Sequence, residues 1–186
     1  MCIVRVIAGK ARRTALAAPK GQATRPTADR VKENLFNIIS HYVPGARFLD
    51  LFCGSGAIGV EALSRGAETA VFVDISKDAI LATNSNIART RLEKQSKVLQ
   101  MCVIQAITKL KFDGNCFDII FMDPPYNSTL FPQVAKALET ASLLSDEGIL
   151  IAEIGADEPL PDVSPFVLED NRTYGNTQLL LYKRKI

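Results

Sequence analysis

Between residues 47 and 154 the chain alternates short apolar runs with longer amphipathic ones, and this alternation limits the folds open to it. The apolar runs are RFLDLF (47–52), AVFVD (70–74), VLQMCVI (98–104), FDIIFMD (117–123) and GILIAEI (148–154). Helical patterns separate them, over 57–65, 77–91, a short piece near 107–110, and 130–141. Strands that are apolar on both faces belong in a parallel sheet covered by helices on each side. The end of the chain breaks the rhythm. FVLED (166–170) and TQLLLYKR (177–184) flank NRTYGN with no room for a helix. They are expected to form a hairpin, which makes one strand antiparallel. The fold expected is α/β and Rossmann-like, with a seven-stranded, mostly parallel sheet ending in an antiparallel hairpin.

The first 44 residues lie outside this pattern. VRVIAG (4–9) and TALAAP (14–19) look like two short strands around a basic turn, and Pro19, Gly21 and Pro26 mark a loop. Thr27 can cap a helix from Ala28 to about His41, with Asp29 in its first turn and Val31, Leu35, Ile38 and Ile39 at helical spacing. The division expected is a small hairpin-and-helix extension over 1–44 and a larger domain over 45–186.

Charge follows the same division. Residues 1–32 hold eight basic side chains against Asp29 alone, a net +7, whereas 33–186 hold 14 basic and 19 acidic groups, a net −5. A basic extension on an acidic body suits contact with nucleic acid. Lys10, Arg12, Arg13, Lys20, Arg25 and Arg30 are the candidate contacts.

A chain of 186 residues with 47% hydrophobic content buries a sizeable core without disulfide or metal. No apolar run approaches the ~18–20 residues of a membrane span. The N-terminal apolar residues precede the charges, the reverse of a secretory signal, so a cytoplasmic protein is expected. Cys2, Cys53, Cys102 and Cys116 form no C-x-x-C pair and are read as small buried hydrophobes. With His41 the only histidine, no metal-ligand spacing is present.

DLFCGSGAIG follows the first core strand and opens a helix, so Gly54, Gly56 and Gly59 satisfy G-x-G-x-x-G. Such a loop brings backbone N–H groups close to a ligand. Asp74 ends the next strand, 20 residues after Gly54, where a carboxylate can accept from ribose hydroxyls. Both a dinucleotide and S-adenosylmethionine meet these requirements. Asp50, four residues before Gly54, favours the second. It can bind the amino group of a methionyl end but would repel a pyrophosphate. Ser55 and Ile75 complete this part of the candidate cofactor set.

The fourth strand ends in Asp123-Pro124-Pro125-Tyr126. Two prolines cannot extend a ladder, and they fix a rigid turn. The Asp123 carboxylate and the Pro124 carbonyl are then directed acceptors for the two hydrogens of an exocyclic amine. Tyr126 offers a face on which a base stacks. The amine nitrogen is aimed at an electrophilic methyl by orientation more than by a strong base.

D-P-P-Y, with FLDLFCGSGAIGVEALSRGA upstream, resembles the class I S-adenosylmethionine-dependent amino-methyltransferases. TRPTADRVKENLFNII, YGNTQLLLYKRK and VIAGKARRTALAAPKG extend the resemblance over nearly the whole chain. The sequence looks like the RsmD family of bacterial 16S rRNA guanine-N2 methyltransferases. The resemblance implies S-adenosylmethionine as methyl donor and a guanine in 16S rRNA of the assembling 30S subunit as target; a monomer is expected. It also implies that the Arg25-Pro26-Thr27 loop lies near the methionyl part of the cofactor. Where the family has an acidic residue meeting the adenine amine after strand three, this chain has Gln105, whose oxygen can accept the same bond. Arg172 and Tyr174 in the C-terminal hairpin face the RNA if the sixth strand runs parallel to the others. D-P-P-Y suits any planar amine, so an enzyme acting on DNA adenine or another RNA site meets the same requirements. A non-catalytic RNA-binding assembly factor is a further alternative, and NAD-linked oxidoreduction leaves Asp-Pro-Pro-Tyr unexplained.

Overall fold

The computed structural model describes residues 4–19, 27–125 and 129–185, with the side chains of Thr27 and Ala28 outside the description. After an N-terminal segment come α1 (Thr27–Ile38), β1 (Arg47–Leu51), α2 (Ala57–Ser64), β2 (Thr69–Asp74) and α3 (Lys77–Thr90). A one-turn 3-10 helix (Glu93–Gln95) leads to β3 (Ser96–Gln100), α4 (Val103–Phe112), β4 (Phe117–Met122), α5 (Leu130–Ala141) and β5 (Leu144–Gly155). The chain ends in β6 (Phe166–Tyr174) and β7 (Thr177–Arg184).

The seven strands form one sheet in the order β3-β2-β1-β4-β5-β7-β6. The first five pair in parallel, and β7 is antiparallel to both β5 and β6. β6 therefore runs parallel to the first five. Its turn into β7, at Gly175 and Asn176, lies at their carboxyl ends. The order reverses between β1 and β4, the switch point where ligands bind in open α/β sheets.

Each face of the sheet is covered by its own apolar cluster. On one side Phe48, Phe72, Phe121 and Ile151 pack with Leu35 and Phe36 of α1, Ile39 just past its end, Leu63 of α2 and Ile87 of α3. On the other, Leu49, Ile120, Met122 and Leu150 pack with Ile107 of α4 and Phe131 and Val134 of α5. Val6, Ala11 and Leu16 of the N-terminal segment join the first cluster.

Several expected features differ in the structure. The N-terminal strands pair only briefly: beside the Arg5–Ala15 bridge, Val6 N–H donates to Thr14, Arg13 N–H to Val6 and Leu16 N–H to Val4, while the N–H groups of Ile7, Ala8, Lys10 and Ala11 turn to Glu61 and Ser64 of the body. The third strand ends at Gln100, not Ile104, and α4 begins at Val103. Val103, Ala106, Ile107 and Leu110 are buried at i, i+3, i+4 and i+7, so this stretch has helical periodicity inside an apolar run. Of the described cysteines only Cys53 is buried; Cys102 is exposed and Cys116 intermediate.

Candidate active site

The glycine loop leaves β1 through two residues in the left-handed region, Phe52 (φ 60°) and Gly54 (φ 55°). A non-glycine residue there is uncommon and concentrates at functional sites. A Cβ on Gly54 would meet nothing within 4 Å, so this backbone borders open space. Gly59 has a different role. A Cβ there would come within 2.3 Å of the Phe72 ring, so the third glycine lets α2 pack tightly on β2. α3 anchors the loop from behind. Thr83 Oγ1 donates to the Gly54 carbonyl at 3.0 Å, and Asn86 Nδ2 donates to the Ser55 carbonyl at 2.8 Å. Asn86 also exchanges hydrogen bonds with both backbone groups of Ala17, tying the N-terminal segment to the loop.

Asp74 holds the loop to β2. Its Oδ2 accepts from the Gly54 N–H at 2.9 Å and its Oδ1 from the Ser76 N–H at 2.8 Å. Ile75 beside it is 71% exposed, an unusual state for an isoleucine and one suited to covering a flat ring.

Three carboxylates converge at the carboxyl end of the sheet, Asp50 and Glu153 from within β1 and β5 and Asp123 from just past β4. Asp50 pairs in register with Phe121, and Phe121 with Ile151. Alternation along β1, β4 and β5 then sets Asp50, Asp123 and Glu153 on one face of the sheet, and all three line one cavity of about 250 Å³. That is several times the ~30 Å³ share of a water in the liquid. Cys53, Gly54, Ser55 and Phe52 complete the sheet side of the wall, and Val4, Pro19, Val31 and Lys32 the other side.

Burial pushes the Asp50 carboxyl up to about 7, and the nearby charges of Asp123 and Asp74 add to this against the Gly59 N–H, which donates at 2.9 Å. Burial likewise pushes Glu153 up to about 8, with the charge of Asp123 adding and a hydrogen bond from Thr177 opposing. Lys32 is the basic group on this wall, and its ammonium is engaged elsewhere. It donates to the Arg5 carbonyl at 2.6 Å and lies 3.5 Å from buried Glu61 and 3.9 Å from Asp29. Such a cavity is relieved by a cation and opposed by a phosphate.

The structure brings together Asp50, Gly54, Ser55, Asp123 and Glu153, with Gly56 closing the loop and Pro124 buried behind Asp123. Pro125 is exposed. Tyr126, Lys20 and Arg25 lie outside the described residues, and so does the side chain of Thr27. Gln105 is not at a strand end. It is exposed in the first turn of α4, because Cys102 already ends the approach to that helix. Arg30 is exposed in the first turn of α1, next to Val31 and Lys32 of the cavity wall. Arg172 is exposed near the β6–β7 turn and pairs with Asp170 at 2.8 Å. Tyr174, expected to be exposed, is half-buried against the core.

Lys10, Arg12 and Arg13 are exposed but stand at the other end of the molecule. Their turn docks on the C-terminus of α2, where the Lys10 N–H donates to the Ser64 carbonyl. The chain leaving α2 meets the entrance to β1 through Gly45 and Gly66, so this end lies at the amino ends of the parallel strands. Glu61 fixes the docking by accepting from the N–H groups of Ile7 and Ala8 and from Arg65.

Sequence reasoning missed Glu153, Asn86 and Thr83. For Glu153 a signal existed: a lone carboxylate within the apolar run GILIAEI. Asn86 and Thr83 look like ordinary polar helix residues until α3 is packed on the loop.

Residues 4–183 match the family model described as conserved hypothetical protein 95. The Bacillus subtilis (strain 168) protein YlbH is 37% identical over 183 residues, covering 98% of this chain and all of its own. Ribosomal RNA small subunit methyltransferase D of Escherichia coli (strain K12) is 32% identical over 183 residues, covering 98% of this chain and 90% of that protein. The solved structure of Escherichia coli yhhF superposes with a TM-score of 0.87 at 31% identity, over 99% of each chain. With its glycine loop, Asp-Pro-Pro turn and C-terminal hairpin all in place, this chain belongs to the conserved hypothetical protein 95 family, the RsmD family of methyltransferases.

Proposed function

We propose that this protein transfers a methyl group from S-adenosylmethionine to the N2 amine of a guanine in 16S rRNA, within the small subunit or its assembly intermediate. One observation carries the reading: three carboxylates from adjacent strands line a single cavity at the switch point, and the middle one belongs to Asp-Pro-Pro. The cofactor supplies a methyl group on a cationic sulfonium, and its amino-acid end adds an ammonium. Both charges suit a cavity whose carboxyls burial has made reluctant to ionise. Asp50 is the group to hold the ammonium, Gly54 and Ser55 lie under the ligand, and Asp74 and Ile75 stand where ribose and adenine would lie.

Asp123 and the Pro124 carbonyl accept the two hydrogens of the target amine and orient its nitrogen. Asp123 is exposed enough to pass the proton shed by the amine to water. The rRNA target follows from family membership and from the Escherichia coli relative of that name. The test is tritium transfer from labelled cofactor to 30S particles from a strain lacking the activity, followed by nucleoside analysis. N2-methylguanosine is the expected product. Label in N6-methyladenosine, or none at all, overturns the reading.

A further inference from the structure

We propose that Glu153 reads the N1–H of the target guanine beside the Asp123 and Pro124 acceptors, and so admits guanine while turning adenine away. The inference rests on the guanine-N2 reading above and adds to it the group that selects the base.

The order of strands carries the argument. β1 brings the glycine loop and Asp50, β4 brings Asp123, and β5 brings Glu153, in that order across the sheet. Adjacent strands lie about 4.8 Å apart. The methyl donor is held over β1, so an amine gripped at the end of β4 has its base on the far side, over β5. Glu153 is the carboxylate waiting there. Its neighbour Thr177, on β7, hydrogen-bonds to it, and this fixes the side chain while leaving further lone pairs for a ligand.

The chemistry of the two bases differs where Glu153 lies. Guanine presents N1–H next to its N2 amine, two donors in a row. Adenine presents an unprotonated N1 next to its N6 amine, and two acceptors there face each other. A site built to receive a donor rejects a base that lacks it, because the buried acceptor is left unpaired. The charged groups facing Glu153 are Asp123 from β4, Asp50 from β1 and Lys32 from α1. A donor from guanine and the cations of the cofactor both favour the ionised glutamate that the contact requires.

The test compares guanine with 2-aminopurine, which keeps the N2 amine and lacks the N1 hydrogen. 16S rRNA joined from synthetic and transcribed pieces carries one or the other at the methylated position and is reassembled into 30S particles. Wild-type protein is expected to show kcat/KM about 10²-fold higher for guanine. Glu153→Gln is expected to lower the guanine rate and narrow the ratio to below about 3-fold, while any change in cofactor Kd, read by calorimetry, falls on both substrates alike and leaves the ratio to report base selection. A wild-type ratio near one overturns the assignment whether or not the variant folds. So does a variant that keeps the wild-type ratio. Failure of the underlying reading shows separately, as wild-type protein that leaves guanine particles without N2 methylation.

Discussion

Asp123 and Asp50 separate the chemistry from the binding at the scale of single residues. In the function proposed, Asp123→Ala removes an oriented acceptor at the reacting centre while leaving the glycine loop intact. Turnover should fall about 10²–10³-fold with little change in cofactor Kd, and wild-type turnover would end the role assigned to it. Asp74→Ala removes a group that braces the loop and, in the function proposed, meets the cofactor's ribose. Cofactor binding should weaken by about 1.5–3 kcal/mol, with rRNA binding less affected; unchanged affinity in calorimetry would take Asp74 out of the pocket. Asp50 adds a pH dependence. Its folded-state pKa is raised, from 3.8 to about 7. Folding without cofactor therefore loses stability as pH rises from about 4 to 7, as the buried carboxyl is forced to ionise. Cofactor affinity is expected to run the other way, rising over about pH 6–7 as the anion proposed to hold the ammonium forms, and Asp50→Asn should flatten that rise. Asp50, Asp74 and Asp123 were legible in the sequence because each stands at a fixed offset from a glycine loop or a strand end. Glu153 was marked only as a lone carboxylate in an apolar run, and its role was not legible, since that depends on which strands flank β5 and no local spacing states it.

At the scale of elements, the N-terminal segment behaves as part of the cavity wall and not as an independent hairpin. Glu61, wholly buried on α2, accepts from Ile7, Ala8 and Arg65 and neutralises Lys32. Glu61→Gln keeps the shape and removes the charge, leaving the Lys32 ammonium buried without its main counter-ion. A loss of about 3 kcal/mol is expected, or roughly 6–12 °C in Tm, together with weaker cofactor binding because Val4 and Pro19 line the cavity. Thermal unfolding with and without cofactor checks both effects, and a Tm within about 2 °C of wild type would show the clamp to be inert. α1, α2, α3 and α5, with β1, β2 and β4, began and ended within a few residues of the sequence expectation, because glycines, prolines or charged turns bracket them. β3 and α4 were misjudged for the opposite reason. Met101, Cys102, Val103 and Ile104 continue the apolar run across the helix start, and a short apolar run looks alike in strand and helix. The N-terminal pair came out shorter than expected: Val4, Val6, Arg13, Thr14 and Leu16 exchange backbone bonds across the hairpin, while Ile7, Ala8, Lys10 and Ala11 of its turn dock on Glu61 and Ser64.

At the scale of the whole molecule, the basic stretch and the catalytic end are separated by the length of α2. Eight residues of helix span about 12 Å. Lys10, Arg12 and Arg13 therefore stand too far away to touch the target base, whereas Arg30 and the β6–β7 turn flank the cavity. A large RNA particle can reach both places at once, and phosphates at the distant contact would fix register without reading sequence. The body beneath is net negative, so the tip's charge is the local attraction it offers. Reversing Arg12 and Arg13 to Glu should then raise KM for the 30S particle while kcat and cofactor Kd hold. The slope of log affinity against log salt should become shallower by about one to two, as fewer counterions are released. A fall in kcat would instead place the tip at the chemistry, against the geometry. Identical affinity and salt slope would make it a solvated face, and the RNA would then be held by Arg30, Arg172 and the cavity rim alone.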